Sequence, residues 1–397
     1  MKWFKNTAKA VVEALNDIFN EKRQADKVIQ NLLKQNKKWG SRDRKFVAKV
    51  LYDVVRWKRL YEYVTNSDIK TIEGKWNILT AWSKQNSVEI PAWFENTVEH
   101  NKINLYQPLS FPIAQSIPDW LNETGYKELE KDFFEKEIQA LNREAQVVIR
   151  TNTLLISKEN LISKLNKKGI QTEVNTDYPE AIFIINRSKL THLDCYKKGL
   201  FEIQDASSQL VAPFTEVKPE MTVIDACAGA GGKTLHLATQ MKNKGKILAY
   251  DIYQNKIDEL LRRARRNRVK IIREASVITP EIINNNREKA DILLLDVPCS
   301  SLGTLRRKPG LKWELNPDKL LQINTIQKNI LNSYANMTKV GGYLIYVTCS
   351  ILPSENKENV NYFLKQNNNF TFVEDKNIFA HETKGDGFYM AKLKRIK

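Results

Sequence analysis

The chain has 397 residues, 42% of them hydrophobic, and a net charge of +17. That length points to two or three domains with a packed core, and so large a basic excess favours a polyanionic partner such as nucleic acid. Four cysteines with no CxxC pair, and no histidine at zinc-ligand spacing, argue against a disulfide framework and against a metal site.

The N-terminus, MKWFKNTAKAVVEALNDIF, is broken by charges and lacks the apolar core of a signal peptide. No apolar run reaches the roughly 18 residues that a membrane span needs. Widely spaced thiols suit a reducing compartment, so a cytoplasmic, membrane-free protein is expected.

Residues 1 to about 110 read as helical. Val11, Val12, Leu15, Ile18 and Phe19 form one apolar stripe, and Phe46, Val47, Val50, Leu51, Val54 and Val55 form another. Ser41 is the expected N-cap of the second helix. The first 60 residues hold 16 Lys or Arg against 6 Asp or Glu, which suggests a docking module. Pro108, Pro112 and Pro118 punctuate the next stretch, and helical spacing resumes from Trp120 to about Asn142. The run AQVVIRTNTLL then reads as a strand, LISKLNKKGI as a helix ending at Gly169, and AIFII as a strand. Together they make a small α+β element over 143–205.

From about Gly199 strands and helices alternate. The strand runs are 222–226, 246–251, 269–273, 290–296, 342–348, 370–374 and 388–394. Near-continuous apolar strands separated by helices imply a parallel sheet covered on both faces, an α/β fold. The last two runs lie close enough to form an antiparallel edge pair.

The first of these strands ends in Asp225-Ala226-Cys227-Ala228-Gly229-Ala230-Gly231-Gly232-Lys233-Thr234. Glycines permit a tight turn and close backbone approach to a ligand at a helix N-terminus. The spacing matches neither GxGxxG nor the Walker loop. Asp251 ends the second strand, where an acid holds ribose hydroxyls in Rossmann-like sheets; it could equally cap the following helix. Turn and acid together suggest a nucleoside-bearing cofactor.

Two cysteines each close a strand: Cys299 after ADILLLDVP and Cys349 after GGYLIYVT. Ligands bind outside the carboxyl ends of parallel strands, so both thiols should face one crevice. Pro298 forces the chain to turn, exposing Asp296 and Cys299. A serine follows each cysteine.

These segments resemble the RsmB/Nop/Sun family of RNA cytosine-5 methyltransferases. DACAGAGGKT (225–234) is similar to its cofactor motif, LLDVPCSSLGTLRRKPGLKW (294–313) to its proline-cysteine motif, and YVTCSILPSENKENV (346–360) to its threonine-cysteine motif. GLFEIQDASSQL (199–210) resembles the entry segment and DGFYMAKLKR (386–395) the closing strand. The likeness runs from about residue 145 to 397. GSRDRKFVAKVLYDVVRWKRL, nearer the N-terminus, is more loosely similar to a NusB-like domain.

The resemblance implies a Rossmann-like class I methyltransferase sheet over 206–397. A small α+β subdomain (136–205) and an all-α RNA-docking domain (1–135) precede it. It implies S-adenosylmethionine, held by Cys227, Ala228, Gly229, Ala230, Gly231, Gly232, Lys233, Asp251 and Asp296. Cys349 would attack cytosine C6, making C5 nucleophilic, and Cys299 would assist release; in a DNA cytosine methyltransferase the roles would fall to Cys299. Asp296 would hold the cytosine edge or cap its turn. Lys233 would stabilise charge or lower a thiol pKa, or be a plain surface lysine. Arg306, Arg307, Lys308 and Lys312 would grip RNA phosphates. The basic cluster Arg262, Arg263, Arg265, Arg266 and Arg268 reads equally as RNA contact or solvated helix face.

The partner implied is RNA, ribosomal rather than transfer RNA, and the protein a monomer. The alternatives are a DNA methyltransferase or a non-catalytic ribosome-assembly protein. The sequence departs from the family pattern at Ala230 (often Pro), Ser301 (commonly Gly) and Gly310 (frequently Asp). The third strand, IIREASV, lacks the acid that reads adenine, and no residue is assigned to that contact.

Overall fold

The computed structural model describes residues 2–105, 107–186 and 189–397. Apolar side chains at helical spacing pack four helices together: α1 (Lys5–Phe19), α2 (Ala25–Gln35), α3 (Ser41–Thr65) and α4 (Ile72–Gln85). Trp3, Phe46 and Trp82 meet edge to face at 4.9–5.6 Å between ring centroids, a favoured aromatic geometry. Gly40, not Ser41, is the N-cap of α3; its N–H donates to Asp43 Oδ2 at 3.2 Å. The helical pattern also stops earlier than expected, since 86–99 carries no helix.

Two units emerge from the packing: Met1–Arg143 with Leu305–Pro317, and Glu144–Thr304 with Asp318–Lys397. Both divisions differ from the expected borders. The helix Lys131–Leu141 stays with the helical unit because Phe134 packs on Phe111 and Tyr126. The segment 305–317, expected within the C-terminal domain, folds with α3. That helix kinks at Trp57 (φ −109°, ψ 20°). The carbonyls freed there accept foreign donors: Val55 O from Trp313 Nε1 at 2.7 Å, and Arg56 O from Lys312 Nζ at 2.8 Å. Side chains inserted into the helix ladder are a standard cause of a kink.

The second unit holds two sheets. The smaller is antiparallel, in the order β2 (Thr172–Glu173), β3 (Ala181–Ile184), β1 (Val147–Thr151), β4 (Phe201–Ile203). The larger contains β5 (Thr222–Asp225), β6 (Lys246–Asp251), β7 (Ile272–Val277), β8 (Ala290–Asp296), β9 (Thr338–Thr348), β10 (Phe370–Ile378) and β11 (Phe388–Arg395). Its order is β10-β11-β9-β8-β5-β6-β7.

Strands β5 to β9 are parallel, and β11 is antiparallel to both β9 and β10. Only β10 of the closing pair is therefore an edge strand. This is the α/β, class I methyltransferase arrangement that the strand pattern and resemblance predicted. Buried residues on the two faces of this sheet form separate apolar clusters, as two-sided coverage requires.

One strand lies elsewhere than expected. Val269 closes the end of the preceding helix, its N–H donating to Ala264 O at 3.0 Å, and Arg268 takes a left-handed φ of 55°. The third strand therefore starts at Ile272 and leaves the sheet at Val277, with no acid at its tip.

Candidate active site

The β5 exit supplies the glycine turn. Gly229 (φ 52°) and Gly231 (φ 84°) both take left-handed backbone, which costs glycine nothing. A Cβ on Gly231 would meet Leu260 at 2.7 Å, whereas one on Gly229 would point into open space. Gly231 caps the helix Gly232–Gln240. The Gly229 N–H donates to Asp251 Oδ2 at 2.8 Å, so the acid at the β6 tip and the turn form one piece. Asp251 Oδ1 also accepts from Tyr253 N at 2.9 Å, so the carboxylate serves its own turn as well.

Two arginines pull the turn's carbonyls outward. Arg150 of β1 donates to Gly232 O at 2.8 Å, and Arg263 donates to Ala230 O at 2.7 Å. Glu202 of β4 anchors Arg263 at 2.8 Å and also pairs with Arg266. Two of the five arginines of that cluster, Arg263 and Arg266 on the helix Gln254–Arg266, are thereby spent on structure. Burial pushes the Cys227 thiol well up, which removes it as a nucleophile. Asp225 is buried and accepts from Thr234 Oγ1 at 2.7 Å, and burial raises its carboxyl to about 7.

The glycine turn with an open side, a helix N-terminus and an adjacent acid fits a nucleoside-bearing cofactor.

The two thiols converge. Cys299 Sγ and Cys349 Sγ lie 3.3 Å apart, 50 residues apart in sequence. The cause is strand order: β8 and β9 are parallel neighbours, with Asp296 opposite Val347. Both cysteines are partly exposed. The serines that follow them are buried and share one acceptor, Glu355. Glu355 also accepts from Ser300 N at 2.8 Å and Gln327 Nε2 at 3.0 Å, and Gln327 donates to Pro298 O at 3.0 Å. One carboxylate thus locks both cysteine loops.

Beside the thiols, Lys233 Nζ donates to Asp296 Oδ2 at 2.6 Å. Burial alone would lower the Lys233 ammonium, but Asp296 outweighs it and the net shift is upward. Lys233 therefore stays cationic and cannot serve as a base. In the coupled thiol pair, the hydrogen bond from Cys299 holds Cys349 down, and the same bond holds Cys299 up.

Two family models match the chain: 16S rRNA methyltransferase RsmB/F over residues 213–394, and an RsmF/B-like ferredoxin-like domain over 117–191. The chain is 30% identical over 320 residues to the probable ribosomal RNA small subunit methyltransferase B of Synechocystis sp. The match covers 76% of this chain and 70% of that one. This chain belongs to the RsmB/F family of 16S rRNA methyltransferases.

A probable methyltransferase B of Bacillus subtilis is also 30% identical, over 62% of this chain and 59% of that relative. Among solved structures, PH0851 matches the whole of both chains at TM-score 0.81 and 24% identity, a likeness of fold. A methyltransferase homologue from Pyrococcus horikoshii matches 71% of this chain and 99% of its own at TM-score 0.62 and 26% identity. NSun6 from Pyrococcus horikoshii, solved with SFG, shares the fold over 70% of this chain and 98% of its own, at TM-score 0.64 and 21% identity. RsmB/F methyltransferases depend on S-adenosylmethionine.

Within this RsmB/F member, one expected RNA contact is corrected. Lys312 is fully buried, bonded to Arg56 O and, at 3.2 Å, to Asn142 Oδ1. Burial, then the nearby Arg56 charge, pull its ammonium well down. It is a strut of the helical unit and does not face phosphate. Arg306 and Arg307 are half-buried, Arg306 O accepts from Arg56 at 2.9 Å, and Lys308 is exposed. No helix of the described residues is long and apolar enough to cross a membrane, and none of their His, Cys, Asp and Glu side chains cluster as a metal site.

Sequence reasoning missed Arg150, Glu355 and Gln327. Only the paired Cys-Ser dipeptides hinted at the shared acceptor.

Proposed function

We propose that this protein methylates C5 of a cytosine in ribosomal RNA through a covalent cysteine adduct. The observation that carries the reading is the 3.3 Å approach of Cys349 to Cys299 beside the Lys233–Asp296 pair. S-adenosylmethionine supplies the methyl group. The Cys349 thiolate adds to C6 of an unpaired cytosine, which turns C5 into a nucleophilic carbon. As C6 is attacked, N3 takes up a proton from solvent, and Asp296, fixed by Lys233, accepts hydrogen bonds from that N3–H and from the amino group. Once C5 bears the methyl group and Cys349, bonded to C6, no longer carries a charge, Cys299 gives its thiol proton to solvent and the resulting thiolate takes the C5 proton. The electron pair re-forms the ring double bond, and the Cys349–C6 bond breaks, returning the thiolate.

The glycine turn with Asp251 supports the donor's placement at the same sheet edge. Of the basic residues in the segment after Cys299, Arg306, Arg307 and Lys308 are assigned to RNA phosphate. Ribosomal RNA is the substrate on the strength of the relatives, whose printed names are small-subunit methyltransferases. Four free cysteines suit work in the reducing cytoplasm. The test is bisulfite sequencing of total RNA from a deletion strain. Loss of one cytosine methylation in small-subunit RNA, restored by the wild-type gene, is expected; an unchanged pattern sinks the reading.

A further inference from the structure

Between the two thiols stands a residue with no assigned role. Ser301 occupies left-handed backbone, φ 58°, a region that serine enters only when its surroundings hold it there. Its carbonyl accepts from Thr304 N at 2.9 Å and Thr304 Oγ1 at 2.8 Å, which fixes the turn. Its hydroxyl lies 3.3 Å from Cys349 Sγ and 3.8 Å from Cys299 Sγ.

The bond between the sulfurs does not rank them, since either can donate to the other, and in their wider surroundings the two are close to equivalent. Each ends a parallel strand, and each precedes a serine bound to Glu355. The backbone favours the wrong one for attack: Cys349 N donates to Cys299 Sγ at 3.3 Å. A hydrogen bond to the charged form stabilises it, so this amide draws the thiolate toward Cys299. The charged groups facing the pair are Lys233 and Asp296 on one side and Glu355 behind Cys299. Lys233 is already committed to Asp296, so it discriminates weakly. In the neutral pair the Cys349 thiol donates to Ser301 Oγ; once Cys349 ionises, that hydroxyl is free to turn and donate, and it then counters the amide.

We propose that Ser301 is a positioning residue that selects Cys349 over Cys299 as the thiolate, by turning its hydroxyl hydrogen onto Cys349 Sγ when that thiol loses the proton it now donates to Ser301. The proposal rests on the two-thiol reading above, but its test needs no RNA. Full-length protein is pulsed with iodoacetamide from pH 6 to 10, and labelling is read on tryptic peptides 290–306 and 340–357, which carry Cys299 and Cys349 separately.

In the wild type Cys349 labels faster near neutral pH. In Ser301→Ala and Ser301→Gly its labelling at pH 7 falls about tenfold, the factor for one pK unit. Its profile moves to higher pH, and Cys299 gains relative to it. The glycine variant relaxes the backbone, so a loss common to both belongs to the hydroxyl. Variant profiles that superimpose on the wild type, a loss confined to the alanine variant, or faster labelling of Cys299 in the wild type would overturn it. A wild type that labels as expected but methylates no RNA defeats the proposed function and leaves Ser301's role standing.

Discussion

Arg150 of β1 donates a 2.8 Å hydrogen bond to the carbonyl of Gly232, at the first turn of the helix that follows the glycine loop. The small antiparallel sheet thereby holds the cofactor turn from behind. Arg150 is fully buried, and burial lowers its guanidinium to about 10, still charged at neutral pH.

Replacing Arg150 with Met removes the side-chain donor from Gly232 O and leaves the Gln204 Oε1 acceptor without the guanidinium. A buried acceptor so orphaned costs roughly 1–3 kcal/mol. Two effects are expected in Arg150→Met: a lower Tm, and a higher KM for S-adenosylmethionine with the RNA KM unchanged. Equal changes in both KM values would refute a role specific to the cofactor turn.

The thiols separate by their adducts. Cys349→Ala abolishes methyl transfer and forms no adduct. Cys299→Ala attacks but releases slowly, so a denaturant-resistant protein–RNA species accumulates on gels. The opposite pattern would reverse the two roles.

Glu355 gathers Ser300, Ser350 and Gln327 while fully buried. Glu355→Ala strands several buried donors, a loss on the order of 3 kcal/mol or more. Glu355→Gln keeps the volume but turns an amide donor toward one of those donors, and loses less. Denaturant titration measures both. A shift within about 0.5 kcal/mol for the alanine variant, as at ordinary surface sites, would show that the carboxylate does not hold the loops.

Acid should loosen the second unit through His236. Its Nε2 lies 2.9 Å from Glu180 Oε2, and burial, aided by the Arg150 charge, lowers the ring to about 4. An unfolded chain takes up that proton near pH 6.5. Stability from the neutral ring is therefore complete above pH 6.5 and is lost as pH falls toward 4. The full loss is on the order of 3 kcal/mol. Asp225 works the other way: its raised carboxyl adds a penalty as pH climbs from about 4 to 7. Comparing wild type with His236→Gln isolates the first effect. The Tm advantage of the wild type should shrink between pH 7 and 4.5; a constant difference contradicts it.

Lys312 and Lys308 should part company. Lys312→Met strands Arg56 O and Asn142 Oδ1 and lowers Tm, with the salt dependence of RNA binding unchanged. Lys308→Ala leaves Tm alone and reduces the slope of log K against log salt by about 1. A reduced slope for Lys312→Met would restore it as an RNA contact.

Much of the fold was legible because its signals are local. Strand alternation, the glycine turn before a helix, and a cysteine closing each of two apolar runs are properties of ten-residue windows. They predicted β5, β6, β8 and β9, and named Cys299 and Cys349 together. The third strand was misplaced by three residues at its start because Val269, Ile271 and Ile272 are equally apolar. Only the hydrogen bond of Val269 to the end of the preceding helix decides which of them begins the strand.

By itself the sequence determined the order of the elements, the α/β class and which groups are candidates for the chemistry, because backbone periodicity and turn chemistry act over a few residues. Tertiary structure alone decided that two sulfurs meet at 3.3 Å, that Glu355 serves both loops, that segment 305–317 folds with α3, and that Lys312 is buried. Those outcomes depend on which strands become neighbours and which lysine fills a kinked helix. Pairings across 50 to more than 200 residues are chosen by the packing of the whole unit and leave no trace in any local window.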